Sequence, residues 1–174
     1  MVEVSVDKKD GAIKVHRLVC AVECGPYVNP AIIKANVTGA IIMGLSVAFG
    51  ERVDFSSGGV ASANFYNDQE LQMSQVSKEE VHIVKNKKTM GGIGEPGLPP
   101  IAPAVANAVF GAAGIRIRRI PMDPVTILQA IQKHKGWTEK GRILTTCKLE
   151  DAVEAYRRIN SGTAKKKIII ASRR

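Results

Sequence analysis

The sequence predicts an α+β fold, mixed short strands with packed helices, and three observations carry that reading. A loosely alternating, β-branched stretch at residues 12–22 has strand periodicity. Apolar residues recur at helical spacing over residues 31–49, and a small-residue run over residues 100–113 lies between prolines and Gly114. With 174 residues, 45% of them hydrophobic and 24% charged, the composition is that of one soluble domain of two layers. A chain of that length buries roughly two thirds of its unfolded surface, so it needs no staple of disulfides or metal.

Taken in order, Asp10-Gly11 is a turn signal and residues 12–22 follow it as a strand. CGPYVNP is a turn, with Asn29 as the helix N-cap and Pro30 at the first helical position. The helix behind it places Ile32, Ala35, Gly39, Ile42, Met43, Val47 and Ala48 near helical spacing, and is predicted to be buried. Gly39 and Gly44 are costly inside a helix, so both are predicted to mark close approach of another backbone. Residues 51–75, with SSGG and polar clusters, read as loops or short strands, and EVHIV at 80–84 as another strand. Residues 116–121 make a short basic connector, and a helix over 124–134 starts behind Asp123 as cap. The composition shifts at Lys135-Gly136. Beyond it, 149–160 reads as an amphipathic helix, Ser161-Gly162 as its stop and 167–171 as a last strand. The organisation is therefore a main unit over 1–135 and a basic helix-strand extension over 136–174.

The net charge of +9 raises nucleic acid as a partner, but its distribution argues against it. Fifteen basic residues face 12 acidic ones up to Lys135, against 10 and 4 from Gly136 onward, so the basicity is mostly in the extension. Aromatic residues are few and no nucleic-acid-binding motif appears. Cys20, Cys24 and Cys147 fit neither a disulfide framework nor a zinc site, and read as reduced thiols. His16, His82 and His134 have no ligand spacing, so no residue is assigned to a metal. No secretory signal opens the chain, and its longest apolar stretches are expected to fall short of a membrane-spanning helix. A cytoplasmic location is expected, without excluding export together with a partner.

The segment GGIGEPGLPP, residues 91–100, is expensive for a purely structural loop, because its glycines lose backbone entropy while its prolines stiffen it. Such a loop is expected where a ligand touches the backbone. Its one ionisable group is Glu95, held at a helix entrance and expected to face a tight pocket, as a general base would be. The competing reading is that Glu95 favours the following helix N-terminus by its charge alone. A phosphate loop is disfavoured by the acidic centre and the missing Lys-Ser/Thr ending.

GGIGEPGLPPIAPAVANAVFGAAGIRIRRIPM resembles the C-terminal part of the molybdenum-binding large subunit of the xanthine dehydrogenase and aldehyde oxidase family, in its isoquinoline oxidoreductase-like or aldehyde dehydrogenase-like branch. VHRLVCAVECGPYVNPAIIKANVTGAIIMGLSVAFGE and NFYNDQELQMSQVSKEEVHIV are similar to the same subunit, in the same order. The resemblance spans residues 11–135 and implies part of a molybdenum-cofactor-binding domain. It implies hydroxylation of an aldehyde or N-heterocycle with water-derived oxygen, Glu95 being the base. It further implies a molybdopterin-type molybdenum cofactor, in the plain or the cytosine dinucleotide form, contacted by Asn36, Gly92 and Gly94. Iron–sulfur centres would lie in a partner subunit, and the upstream part of the large subunit would be a further partner.

Two departures accompany the resemblance. Where the family reads alanine, glutamine, a hydrophobic residue, glutamate and glycine, this chain reads Ala35-Asn36-Val37-Thr38-Gly39. The family subunit is also several hundred residues long, with most cofactor contacts upstream. The alternative is therefore a non-catalytic truncated fragment acting as an interaction module. Separately, residues 143–174 resemble the C-terminus of zinc-type medium-chain alcohol dehydrogenases, without that family's zinc ligands or dinucleotide fold.

Overall fold

In the computed structural model, which describes residues 1–133 apart from 63, 65 and 86–88, the chain opens with a strand that the sequence reading did not assign. VEVSV forms β1 (Val2–Val6), burying Val2 and Val4 and turning Glu3 and Ser5 the other way. It pairs antiparallel with β2 (Ile13–Val22), the strand expected over 12–22, across a turn in which Asp7 N–H donates to the Ala12 carbonyl at 2.8 Å.

The helix α1 (Pro30–Phe49) begins where the capping residues place it. Asn29 Oδ1 accepts from the Ala31 N–H at 3.0 Å and Pro30 stands at the first turn. A short hairpin, β3 (Phe55–Ser56) with β4 (Gly59–Val60), and a single 3-10 turn at Met73–Gln75 fill the polar stretch. Leu71 N–H donates to the buried Ser46 hydroxyl at 3.0 Å, which ties this excursion back to α1. Next comes β5 (Lys78–Ile83), slightly longer than expected and parallel to β2, giving the sheet order β1-β2-β5. The helices α2 (Ile101–Ala113) and α3 (Pro124–Lys133) complete the described part. Gly114 ends α2 in the left-handed conformation at φ 71°, and Asp123 caps α3 by accepting from Thr126 N–H at 2.8 Å. His134, Cys147 and the expected elements of the 136–174 extension lie outside the described residues.

Both long helices pack on one face of the sheet, making the two layers. From α1 come Ile33, Val37, Ile41, Leu45 and Ala48; from α2, Ile101, Val105, Ala108, Val109 and Ala112; from the strands, Val2, Val4, Leu18, Val22 and Val81. The buried face of α1 is thus not the one anticipated. Ile32, Ala35, Gly39 and Met43 are exposed, because α1 is apolar all round and periodicity cannot choose between its faces. Of its two interior glycines, only Gly44 marks a close approach: a Cβ there would lie 2.8 Å from Ile101 Cβ and 3.1 Å from the Leu98 carbonyl, whereas Gly39 faces open space. The expectation about apolar stretches also needs correcting. At 20 residues and a mean hydropathy of 1.7, α1 is long and apolar enough to cross a membrane by length and composition, yet one side of it is built into the core.

The opposite face of the sheet carries charged side chains beside the buried Val19, and one ion pair crosses from β2 to β5. Arg17 donates through Nε and Nη2 to the two Glu80 carboxylate oxygens, both at 2.8 Å. The Arg17 guanidinium lowers the Glu80 pKa from 4.5 to about 2. A depressed folded-state pKa means stability present above the unfolded value and lost as pH falls through the folded one. The melting temperature should therefore drop between pH 4.5 and about 2, and Glu80→Gln should flatten that part of the profile in thermal melts. The same slope in both proteins would remove the assignment.

Candidate active site around the glycine-rich loop

Residues 91–100 lie along the middle of α1 and lead into α2, held at four places. Gly91 N–H donates to the Cys24 carbonyl at 2.9 Å, fixing the loop entrance beside the end of β2. Asn36, one turn and a half into α1, donates from Nδ2 to the Ile93 carbonyl at 2.7 Å and to the Gly94 carbonyl at 3.1 Å. Gly97 is buried against the same helix, where a Cβ would come within 2.9 Å of Ala40 Cβ and 3.3 Å of the Val37 carbonyl. Leu98 and Ile101 then close over Gly44. Positions 36, 40 and 44 are four apart and form one column on α1, in which small side chains let a backbone approach.

The structure brings together all four residues singled out from the sequence. Glu95 sits at the outer turn of the loop, where its carbonyl accepts from Leu98 N–H at 3.0 Å. Its side chain is exposed, so this part of the chain does not by itself enclose the tight pocket expected around it. Nor is Glu95 the cap of α2, since the helix begins after Pro100 with no acidic residue in its first turn. Gly92 and Gly94 are exposed, with nothing within 4 Å of where a Cβ would stand. Their lack of side chains is not demanded by packing within the described residues, in contrast to Gly97 and Gly44. Asn36 turns its amide nitrogen onto the loop, and its Oδ1 has no hydrogen-bond partner among the described residues. That clamp was missed from the sequence, because nothing in a sequence marks a contact between residues 57 apart.

No group of three or more His, Cys, Asp or Glu side chains that could hold a metal lies among the described residues. Cys20 and Cys24 are free, and burial pushes the Cys20 thiol pKa up. His16 is hydrogen-bonded to the Ser5 hydroxyl at 2.8 Å and His82 lies 3.8 Å from Glu80.

Known proteins resemble this chain, and the family domain that matches it ends before the glycine-rich loop. Residues 1–86 match the molybdopterin cofactor-binding domain family. The isoquinoline 1-oxidoreductase subunit beta of Brevundimonas diminuta is 39% identical over 122 residues, 70% of this chain and 16% of that protein. The chain belongs to the molybdopterin-binding large subunits of the xanthine dehydrogenase and aldehyde oxidase family. The membrane-bound aldehyde dehydrogenase of Gluconacetobacter polyoxogenes is 29% identical over 130 residues, covering 75% of this chain and 17% of that one. Aldehyde oxidoreductase from Desulfovibrio gigas superposes with a TM-score of 0.68 at 25% identity, over 75% of this chain and 15% of that one. This member of the xanthine dehydrogenase and aldehyde oxidase family thus spans about a sixth of the length of the curated relatives it matches. Its mixed sheet and packed helices are the fold of part of their molybdenum-cofactor-binding domain.

Proposed function

We propose that this chain contributes the general base and part of the cofactor-facing wall of a molybdenum hydroxylase acting on an aldehyde or an N-heterocycle. The observation that carries the reading is the placement of Glu95, a carboxylate exposed on a loop that is otherwise glycine, proline and apolar residues, anchored to α1 on both sides. The residues present fit a bound pterin cofactor in a limited but specific way. Gly92 and Gly94 leave the loop surface bare, and neither the N–H groups of Gly94 and Glu95 nor the Asn36 amide oxygen has a hydrogen-bond partner among the described residues. Those groups would hold the oxygen-rich and nitrogen-rich edge of a pterin, in the plain or the cytosine dinucleotide form.

When bound, such a cofactor supplies an acidified water-derived oxygen and a sink for two electrons. The chain's own part is proton transfer. Glu95 Oε takes the proton from the attacking oxygen, and the remaining large-subunit sequence, covering the exposed face of the loop, would exclude water from it. An iron–sulfur partner would carry the electrons away, since the two described cysteines are far from a cluster ligand set. The test is oxygen labelling: an assembly of this chain with its upstream large-subunit sequence and iron–sulfur partner, turned over in 18O water, should give product carrying the label. Product oxygen drawn from dioxygen instead would overturn the reading.

One observation favours a second reading, that of a non-catalytic interaction module. Val28, Ile32 and Met43 on and beside α1, with Phe55 and Val60 of the hairpin, are large apolar side chains left in solvent. A module of that kind predicts association with the partner polypeptide in sedimentation without any gain of hydroxylation activity.

A further inference from the structure

We propose that Asn36 is a positioning residue for the Glu95 carboxylate, acting by clamping the glycine-rich loop to α1 through its carboxamide nitrogen; this rests on reading Glu95 as the base. The two acceptors, the carbonyls of Ile93 and Gly94, belong to the two residues immediately before Glu95 and lie 2.7 and 3.1 Å from Nδ2. Among the described residues, these are the only hydrogen bonds that tie 92–96 to the rest of the chain, since the Glu95 carbonyl is bonded within the loop, to Leu98 N–H. Gly92 and Gly94 have no neighbour within 4 Å at their Cβ positions, and Glu95 and Pro96 are exposed. Packing therefore fixes the loop at Ile93, half-buried against the core, and again from Gly97 onward, while the exposed stretch 94–96 between them is tied down by hydrogen bonds from one side chain.

The chemistry of that side chain is specific. The Nδ2 of a carboxamide carries two hydrogens and reaches both carbonyl oxygens from one site, whereas at this size a hydroxyl has one hydrogen to donate and a carboxylate none. The clamp also aims the loop. In a planar trans peptide the C=O and the following N–H point opposite ways, so carbonyls of residues 93 and 94 held toward α1 turn the N–H groups of Gly94 and Glu95 outward. Asn36 thereby sets the carboxylate and two backbone donors on one outer face, while its own Oδ1 has no partner among the described residues.

The experiment is backbone 15N relaxation on the full chain and on Asn36→Asp and Asn36→Gln. Asn36→Asp keeps the size and removes both donors, so the order parameters of Gly94 and Glu95 should fall from about 0.85 to below about 0.6. Those of the α2 amides should stay unchanged. Asn36→Gln keeps the donors on a longer stem and should restore most of the order. Unchanged loop order in Asn36→Asp, or an equal loss throughout α2, would overturn the proposal. Because relaxation requires no turnover, the clamp can stand while Glu95→Gln remains active, which would sink the base alone. It can equally fail while Glu95→Gln is dead, which would sink the clamp alone.

Discussion

Glu95→Gln should cost the assembled enzyme about 100-fold to 10,000-fold in kcat, the contribution of a positioned general base, with its molybdenum content unchanged. The substitution preserves size and polarity and removes only the capacity to take a proton. It should also be structurally silent, because the Glu95 side chain is exposed and makes no hydrogen bond among the described residues. Steady-state kinetics together with elemental analysis separates the outcomes. Turnover within a few-fold of wild type would remove Glu95 from the base role. Loss of molybdenum together with activity would make it a cofactor-holding residue instead.

The second large effect is in the core. Ile41 is completely buried at the middle of α1, among the side chains that join the sheet to α2. Ile41→Ala should destabilise the chain by about 2–5 kcal/mol, through lost transfer energy and the cavity left behind. Ile32→Ala, nine residues earlier on the exposed side at 65% accessibility, should change the stability of the isolated chain by less than about 0.5 kcal/mol. Urea unfolding of the two variants checks the contrast. Equal losses would mean that α1 uses its faces differently from the packing described here.

How much of this was legible in the sequence follows from where the physics is local. Asn29 and Pro30, Gly114, and Asp123 each act within a turn of the helix they start or stop, and each stands where the sequence placed it. The strand at Ile13–Val22 was legible from its β-branched alternation, while β1 was missed although VEVSV alternates, because five residues preceding a turn are weak evidence on their own. The faces of α1 were not legible. A helix apolar all round gives no moment to read, so Gly39 and Gly44 looked alike until Ile101 was found over one of them. At the site, the composition of residues 91–100 was enough to single out the loop and Glu95, its one ionisable group, while Gly92 and Gly94 were named through the family resemblance. The tight pocket expected around Glu95 is absent from the described residues, where the side chain is exposed. Asn36 stood out only as a departure from the family pattern, and its grip on the loop depends on a contact across 57 positions.

The central claim is that this chain, completed by the rest of a large subunit, forms one wall of a molybdenum site. The most direct measurement is molybdenum per chain, by elemental analysis of the protein purified alone and after co-expression with the upstream large-subunit sequence and an iron–sulfur partner. The account predicts essentially none for the isolated chain and close to one metal per chain in the complex. A folded, stably associated complex that carries no molybdenum would contradict it and leave the interaction module as the function.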